Sequence, residues 1–139
     1  LSLYLKKKNM NSRDTFLKEL RGQSIGSVTS QSTAEESFQN EVLRPILKLQ
    51  NDLFIASFIN YIKENKVDFN SKTVEAKLAV IDNTVQKDIK FRNEMKGIII
   101  GLFTTEEYKF YTKNASNINK RIKNMLLERL KSQVQLFDN

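Results

Sequence analysis

Asp88 and Arg92 are the residues of this sequence whose types and spacing most invite a chemical role. They carry opposite charge and stand four apart. They also fall on a helical stripe that is otherwise apolar, with Val74, Leu78, Ile81 and Val85 before them and Met95, Ile99 and Leu102 after them. Gln50 stands in the same way between Leu47 and Phe54, and Arg129 between Met125/Leu126 and Gln133. If the four met inside a bundle they would form a polar seam able to grip a small anion or an amide. The structural alternative is a satisfied buried network that fixes helix register. Asn51 and Asp52 adjoin the seam, and Asp52 lies four residues after Lys48, the spacing of a surface ion pair.

Two further chemistries can be weighed. Paired carboxylates perform general acid–base work when they converge in a pocket. Asp52, Asp88 and Glu94 are the available ones, but no local motif singles them out, so no catalytic residue is assigned. Lys113, Lys120, Arg121 and Lys123, beside Tyr108, Phe110 and Tyr111, have the composition of a nucleic-acid face, with cations for phosphates and rings for bases. The alternative is a solvated basic helix face with the aromatic residues packed as core.

Composition removes most other options. The chain has 139 residues, 23 Lys and Arg against 16 Asp and Glu, and neither His nor Cys. Without Cys there are no disulfides, thiolate nucleophiles or Cys-based zinc sites. Without His there is no Ser-His-Asp triad, no imidazole catalysis and no commonest metal ligand. No calcium-loop, Walker or dinucleotide motif is present, so neither metal nor cofactor is expected. The net charge of +7 divides unevenly, as +4 for residues 1–33, −2 for 34–70, +2 for 71–104 and +3 for 105–139. No apolar run reaches the roughly 18 residues of a membrane span and no targeting signal is evident, which makes a cytoplasmic location the default.

The elements that must position these residues are helices. Four Gly and one Pro are too few for the many turns of a sandwich or barrel. Residues 1–9 read as a leader or an upstream extension, because Met10 directly precedes a helix-start pattern. Ser12 then caps a short helix over 12–21 with Phe16, Leu17 and Leu20 as its apolar stripe. Residues 22–33 form a Gly-, Ser-, Thr- and Gln-rich linker, expected to be mobile. The capping box Thr33-Ala-Glu-Glu36 opens a helix running to about 65, with a kink or restart at Pro45. Ser71 or Thr73 opens another, reaching Phe103, and Gly97 and Gly101 near its end would let a neighbouring helix or a second copy approach. Thr104-Thr-Glu-Glu107 opens the last, with Asn114–Asn117 as a candidate break. The expected fold is therefore all-α, one short N-terminal helix followed over 34–139 by a bundle of three long ones.

Several runs carry a resemblance: Arg44-Pro-Ile-Leu-Lys-Leu-Gln-Asn-Asp-Leu-Phe54, Gln86-Lys-Asp-Ile-Lys-Phe-Arg-Asn93, Lys96-Gly-Ile-Ile-Ile-Gly-Leu-Phe103, and in the tail Asn119-Lys-Arg-Ile-Lys-Asn-Met125 with Glu128-Arg-Leu-Lys-Ser-Gln-Val-Gln-Leu-Phe137. Together they resemble a small all-helical bacterial family whose members often carry the label "glyoxalase". The resemblance brings no functional residues with it. Glyoxalases of the lyase type hold a metal with His, Glu and Gln on paired βαβββ modules, and this chain offers neither the His nor the strand pattern. The expectation is a small protein that works by binding another protein or a copy of itself. An RNA- or ribosome-associated role for the last helix's basic face comes second, and an enzyme under the inherited label third.

Overall fold

The structure, a computed structural model, describes residues 11–27 and 29–137. The expected leader, 1–9, lies outside the described residues. All regular elements among the described residues are helical, with no strand.

Helix α1 spans Ser12–Arg21. Its cap is Asn11, one residue before the Ser12 expected, and the Asn11 side chain accepts the Asp14 N–H at 2.7 Å. Gly22, at φ +77°, ends the helix in a conformation that side chains resist. Only Leu17 of the expected apolar stripe is buried, while Phe16 and Leu20 are 70% and 59% exposed.

The three long helices expected are each cut. The first opens as α2, Ala34–Phe38, with Thr33 Oγ1 accepting the Glu36 N–H. It widens into a π-turn over Gln39–Leu43 and resumes as α3, Arg44–Leu49. Pro45 cannot donate to the carbonyl four residues back, and the wide turn just ahead of it absorbs the misfit. The break itself comes later, at Gln50 (φ −89°, ψ 4°), before α4, Asn51–Glu64. Thr73 caps α5, Val74–Lys87, which stops at Asp88 (ψ 98°), and α6 follows over Ile89–Ile100. Thr104 and Glu107 complete a full capping box for α7, Thr105–Lys113. Asn114 divides α7 from α8, Ala115–Ser132, and a 3₁₀ turn over Val134–Phe137 closes the described chain. At Asp88 and Asn114 a short polar side chain bonds local backbone: Asp88 Oδ1 takes the Phe91 N–H and Asn114 Nδ2 gives to the Phe110 carbonyl. That competition with the helical ladder is what cuts the helices there.

The chain forms two compact units. In one, the described residues up to Leu49 combine with Ile99–Ile118. Phe38 is the centre of its core, edge-on to Phe103 at 5.5 Å and stacked on Phe110 at 5.0 Å. Polar contacts hold α1 here. Arg13 donates to the carbonyls of Gly101 and Phe103, and Arg21 donates to the Leu102 carbonyl and to both carboxylate oxygens of Glu107. Buried Asp14 accepts the N–H and hydroxyl of Thr105. The expected linker is tied to the π-turn: Ile25 N–H donates to the Asn40 carbonyl, and Asn40 Nδ2 to the Ser27 carbonyl. Gly26 sits between these contacts at φ +104°, where a Cβ would come within 2.9 Å of the Asn40 side chain.

In the other unit Gln50–Ile98 combines with the described residues from Asn119 onward. Phe58 is fully buried among Phe69, Phe91 and Phe137, with ring centroids 6.0, 6.0 and 4.7 Å away. The 3₁₀ turn delivers Phe137 to this cluster by packing on α4 and α5. Gly97 does not have the role expected of it. It is exposed, and a Cβ added there would meet nothing within 4 Å among the described residues, so no described helix uses it for close approach.

Candidate functional site

The polar seam does not come together as one site. Asp88 and Arg92 bracket the elbow between α5 and α6, and each serves a helix end. Asp88 caps α6 by accepting the Phe91 N–H at 2.9 Å. Arg92 reaches back and donates to the carbonyls of Gln86, at 2.8 Å, and Val85, which end α5 without partners inside their own helix. The stripe stays buried on both sides of the break, at Ile81, Val85, Met95 and Ile99, but the helix ends at Asp88, so the ladder pair read from the spacing becomes a pair of caps. Arg129 donates instead to Asn51 Oδ1, and Asn51 exchanges two hydrogen bonds with Gln133, at 2.7 and 2.8 Å. Gln50 donates to the Ile98 carbonyl. The four residues thus serve separate sets of partners.

A cleft of about 440 Å³ opens beside Asp88, between α4 and the start of α6. Tyr61 and Phe91 line it with rings 5.2 Å apart, and Glu64, Glu94, Asp88 and Lys90 carry its charge. The Phe91 N–H holds the Asp88 carboxyl below its ordinary value against the effect of burial, with help from the Tyr61 hydroxyl and Lys90. Burial and the neighbouring carboxylate push the Tyr61 hydroxyl up. A carboxylate held ionised is a poor general acid at neutral pH. Glu94 shares the cleft with Asp88, whereas Asp52 is exposed on α4 and does not line it. Among the described residues no group of three His, Cys, Asp or Glu is placed to hold a metal ion.

Capping predicts a distinctive mutational pattern at Asp88. Asp88→Ala should cost about 1–1.5 kcal/mol, whereas Asn caps nearly as well as Asp, so Asp88→Asn should cost less than half of that. Urea denaturation of the two variants measures both. An Asp88→Asn loss equal to that of Asp88→Ala would mean that the charge, not the cap, matters.

A second concavity lies on another side of α6. Arg92 and Lys96 form one wall and Lys120 and Lys123 of α8 the other, with Asn93, Asn119, Ile122 and Leu126 completing a groove of about 300 Å³. It has four cations and, among the described residues that line it, no carboxylate. Arg92 and Lys96 are one helical turn apart, about 6 Å along the axis, and Lys120 and Lys123 about 4.5 Å apart. The groove therefore joins one member of the expected seam to two members of the expected basic face. Lys113 instead ends α7, and Arg121 is not among the lining residues and has a partner of its own.

No protein-family model, curated protein or solved structure matches this chain.

The rings of the expected nucleic-acid face contact other rings of the protein. Phe110 stacks on Phe38, Tyr111 is buried against Phe103, and Tyr108, half exposed, leans on Tyr111. The groove offers charge without rings. Sequence reasoning missed Lys96, although its signal was present: it follows Arg92 by one helical turn. It also missed the roles of Arg13 and Arg21, whose long-range partners lie 81 to 90 residues away and leave no local trace.

Proposed function

We propose that this protein acts by binding, without catalysis, and that its site is the basic groove between α6 and α8, which takes the phosphate backbone of a nucleic acid in an RNA- or ribosome-associated role. The supporting observation is the convergence of Arg92, Lys96, Lys120 and Lys123 in one furrow with no lining carboxylate among the described residues. Interfaces with proteins depend on a central apolar patch. The apolar side chains here, Ile122 and Leu126, are 3% and 1% exposed, so they belong to the core and leave little surface for a partner. An interface that is strongly cationic and has little exposed apolar surface suits nucleic acid.

Co-sedimentation with ribosomes, and binding to total RNA, should succeed at about 50 mM salt and fade by about 200 mM. The double variant Lys120→Glu/Lys123→Glu should lose binding at least tenfold at the lower salt while keeping its helical circular dichroism. Unchanged binding would place the site elsewhere.

A second reading, association with a protein or with another copy of this chain, is favoured by α1, where Phe16 and Leu20 stand exposed one turn apart. Leu53 on α4 is also 46% exposed. Light scattering of the wild type against Phe16→Ser/Leu20→Ser tests it, since only self-association through α1 would make the two masses differ. The glyoxalase reading has no support from the site. No helix among the described residues is long and apolar enough to cross a membrane.

A further inference from the structure

Resting on the reading of the α6–α8 groove as a phosphate site, we infer that its occupant is a single phosphodiester strand, held by backbone contacts alone and without base readout. Shape sets the strand number. Proteins that read a duplex push a protruding helix or ribbon into a nucleic-acid groove, whose major groove alone is about 12 Å wide. Here the cations do the opposite: they line the walls of a furrow between two helices. Packed helices lie about 8–10 Å apart, so a furrow between them accepts one backbone but not a double helix. Cations on both walls let one strand be gripped from two sides, with Arg92 and Lys96 facing Lys120 and Lys123.

Chemistry sets the readout. Sequence-tolerant single-strand proteins commonly add aromatic platforms on which bases stack, each worth a large part of the affinity. No ring lines this groove among the described residues. Phe91, directly before Arg92, is buried against Phe58, and Phe110 and Tyr111 contact Phe38 and Phe103. Affinity must then come from phosphate contacts, which are indifferent to base identity and steeply dependent on salt. With four contacts to a single strand, the slope of log K against log salt is about −0.7 × 4, or roughly −2.8. That corresponds to about a 50-fold loss between 50 and 200 mM salt.

The test is a fluorescence-anisotropy titration of the full chain with labelled 12-mers of oligo(U), oligo(A), oligo(dT) and a mixed-sequence RNA duplex, at several salt concentrations. The three single strands should bind within about threefold of one another, the duplex at least fivefold more weakly, and the slope should lie near −2.8. In Lys120→Ala/Lys123→Ala the slope should fall to about −1.4, since two contacts remain. A duplex that binds as well as the single strands, or a preference above fivefold among the single strands, overturns this inference and leaves the groove reading standing. An unchanged slope in the variant, no binding of any oligomer at 50 mM salt, or equally effective competition by poly-glutamate overturns the groove reading as well.

Discussion

Glu107→Ala should lower the stability of the protein by about 3 kcal/mol, corresponding to a fall in melting temperature of roughly 10 °C. Arg21 and Glu107 meet through two hydrogen bonds, at 2.5 and 2.8 Å, with side chains only 5% and 14% exposed. Removing the carboxylate leaves a guanidinium in a site from which most water is excluded, and that penalty exceeds the worth of the pair itself. Glu107 also closes the capping box of α7 by accepting the Thr104 N–H. The double variant Arg21→Leu/Glu107→Ala should therefore cost less than Glu107→Ala alone. A loss below about 1 kcal/mol would class the pair with solvent-screened surface bridges.

The same clasp makes stability depend on pH in a stated direction. Burial raises the Glu107 carboxyl, but hydrogen bonds from Arg21 and Thr104 and the charge of Arg21 outweigh it, leaving the group below its ordinary 4.5. Burial likewise opposes, and Thr105 with Arg13 prevails, at Asp14, which sits below 3.8. A carboxyl depressed in the folded state contributes stability that is fully present above its ordinary value and is lost as pH falls through its folded value. Acid denaturation monitored by circular dichroism should begin below about pH 4.5. Glu107→Ala should show a shallower decline over that range, because one of the titrating groups is gone.

How far the fold could be read from the sequence follows from how local its causes are. The all-helical class, the caps at Thr33, Thr73 and Thr104 and the break near Asn114 are local effects, and each is found where its residues stand. The sequence does not mark the breaks at Gln50 and Asp88, because a periodic stripe passes straight through both positions. At Asp88 the stripe was informative in another way. A charge on an apolar face has to find a use, and the use is to cap one helix, while Arg92 four residues on closes the preceding one. The sequence at Pro45 predicts a kink or a restart, and the α-helix restarts at Arg44, after a π-turn flanked by buried Val42, Leu43 and Ile46.

The candidate groove was legible only in halves. Lys120 and Lys123 stood out as a basic face, and Arg92 stood out as a misplaced charge, but nothing in the sequence brings residues 92–96 beside 119–126. That juxtaposition depends on the elbow at Asp88 and on packing within the unit. The rings beside the basic residues misled in the opposite sense. Tyr111 is buried against Phe103, and Phe38, far away in sequence, is what claims Phe110.

Phe58→Ala should have the largest effect of any single change, a loss of about 4 kcal/mol. Phe58 has no exposed surface and touches the rings of Tyr61, Phe69, Phe91 and Phe137. Those rings come from α4, from the turn after it, from α6 and from the terminal 3₁₀ turn, so one cavity would loosen several elements at once. Edge-on and tilted ring contacts add to the loss beyond the area buried. Phe58→Leu retains most of the volume and should cost about 1.5 kcal/mol. The pair of variants also separates packing from binding. Phe91, which leans on Phe58, is the residue before Arg92, so the cluster sets the position of the helix that forms one wall of the groove. If the cluster acts only as support, Phe58→Leu will bind oligo(U) within about twofold of the wild type and with the same salt slope, because all four cations remain. A slope that falls in Phe58→Leu, with circular dichroism unchanged, would mean that the leucine shifts α6 enough to take Arg92 or Lys96 out of reach, and that the aromatic cluster sets the width of the groove.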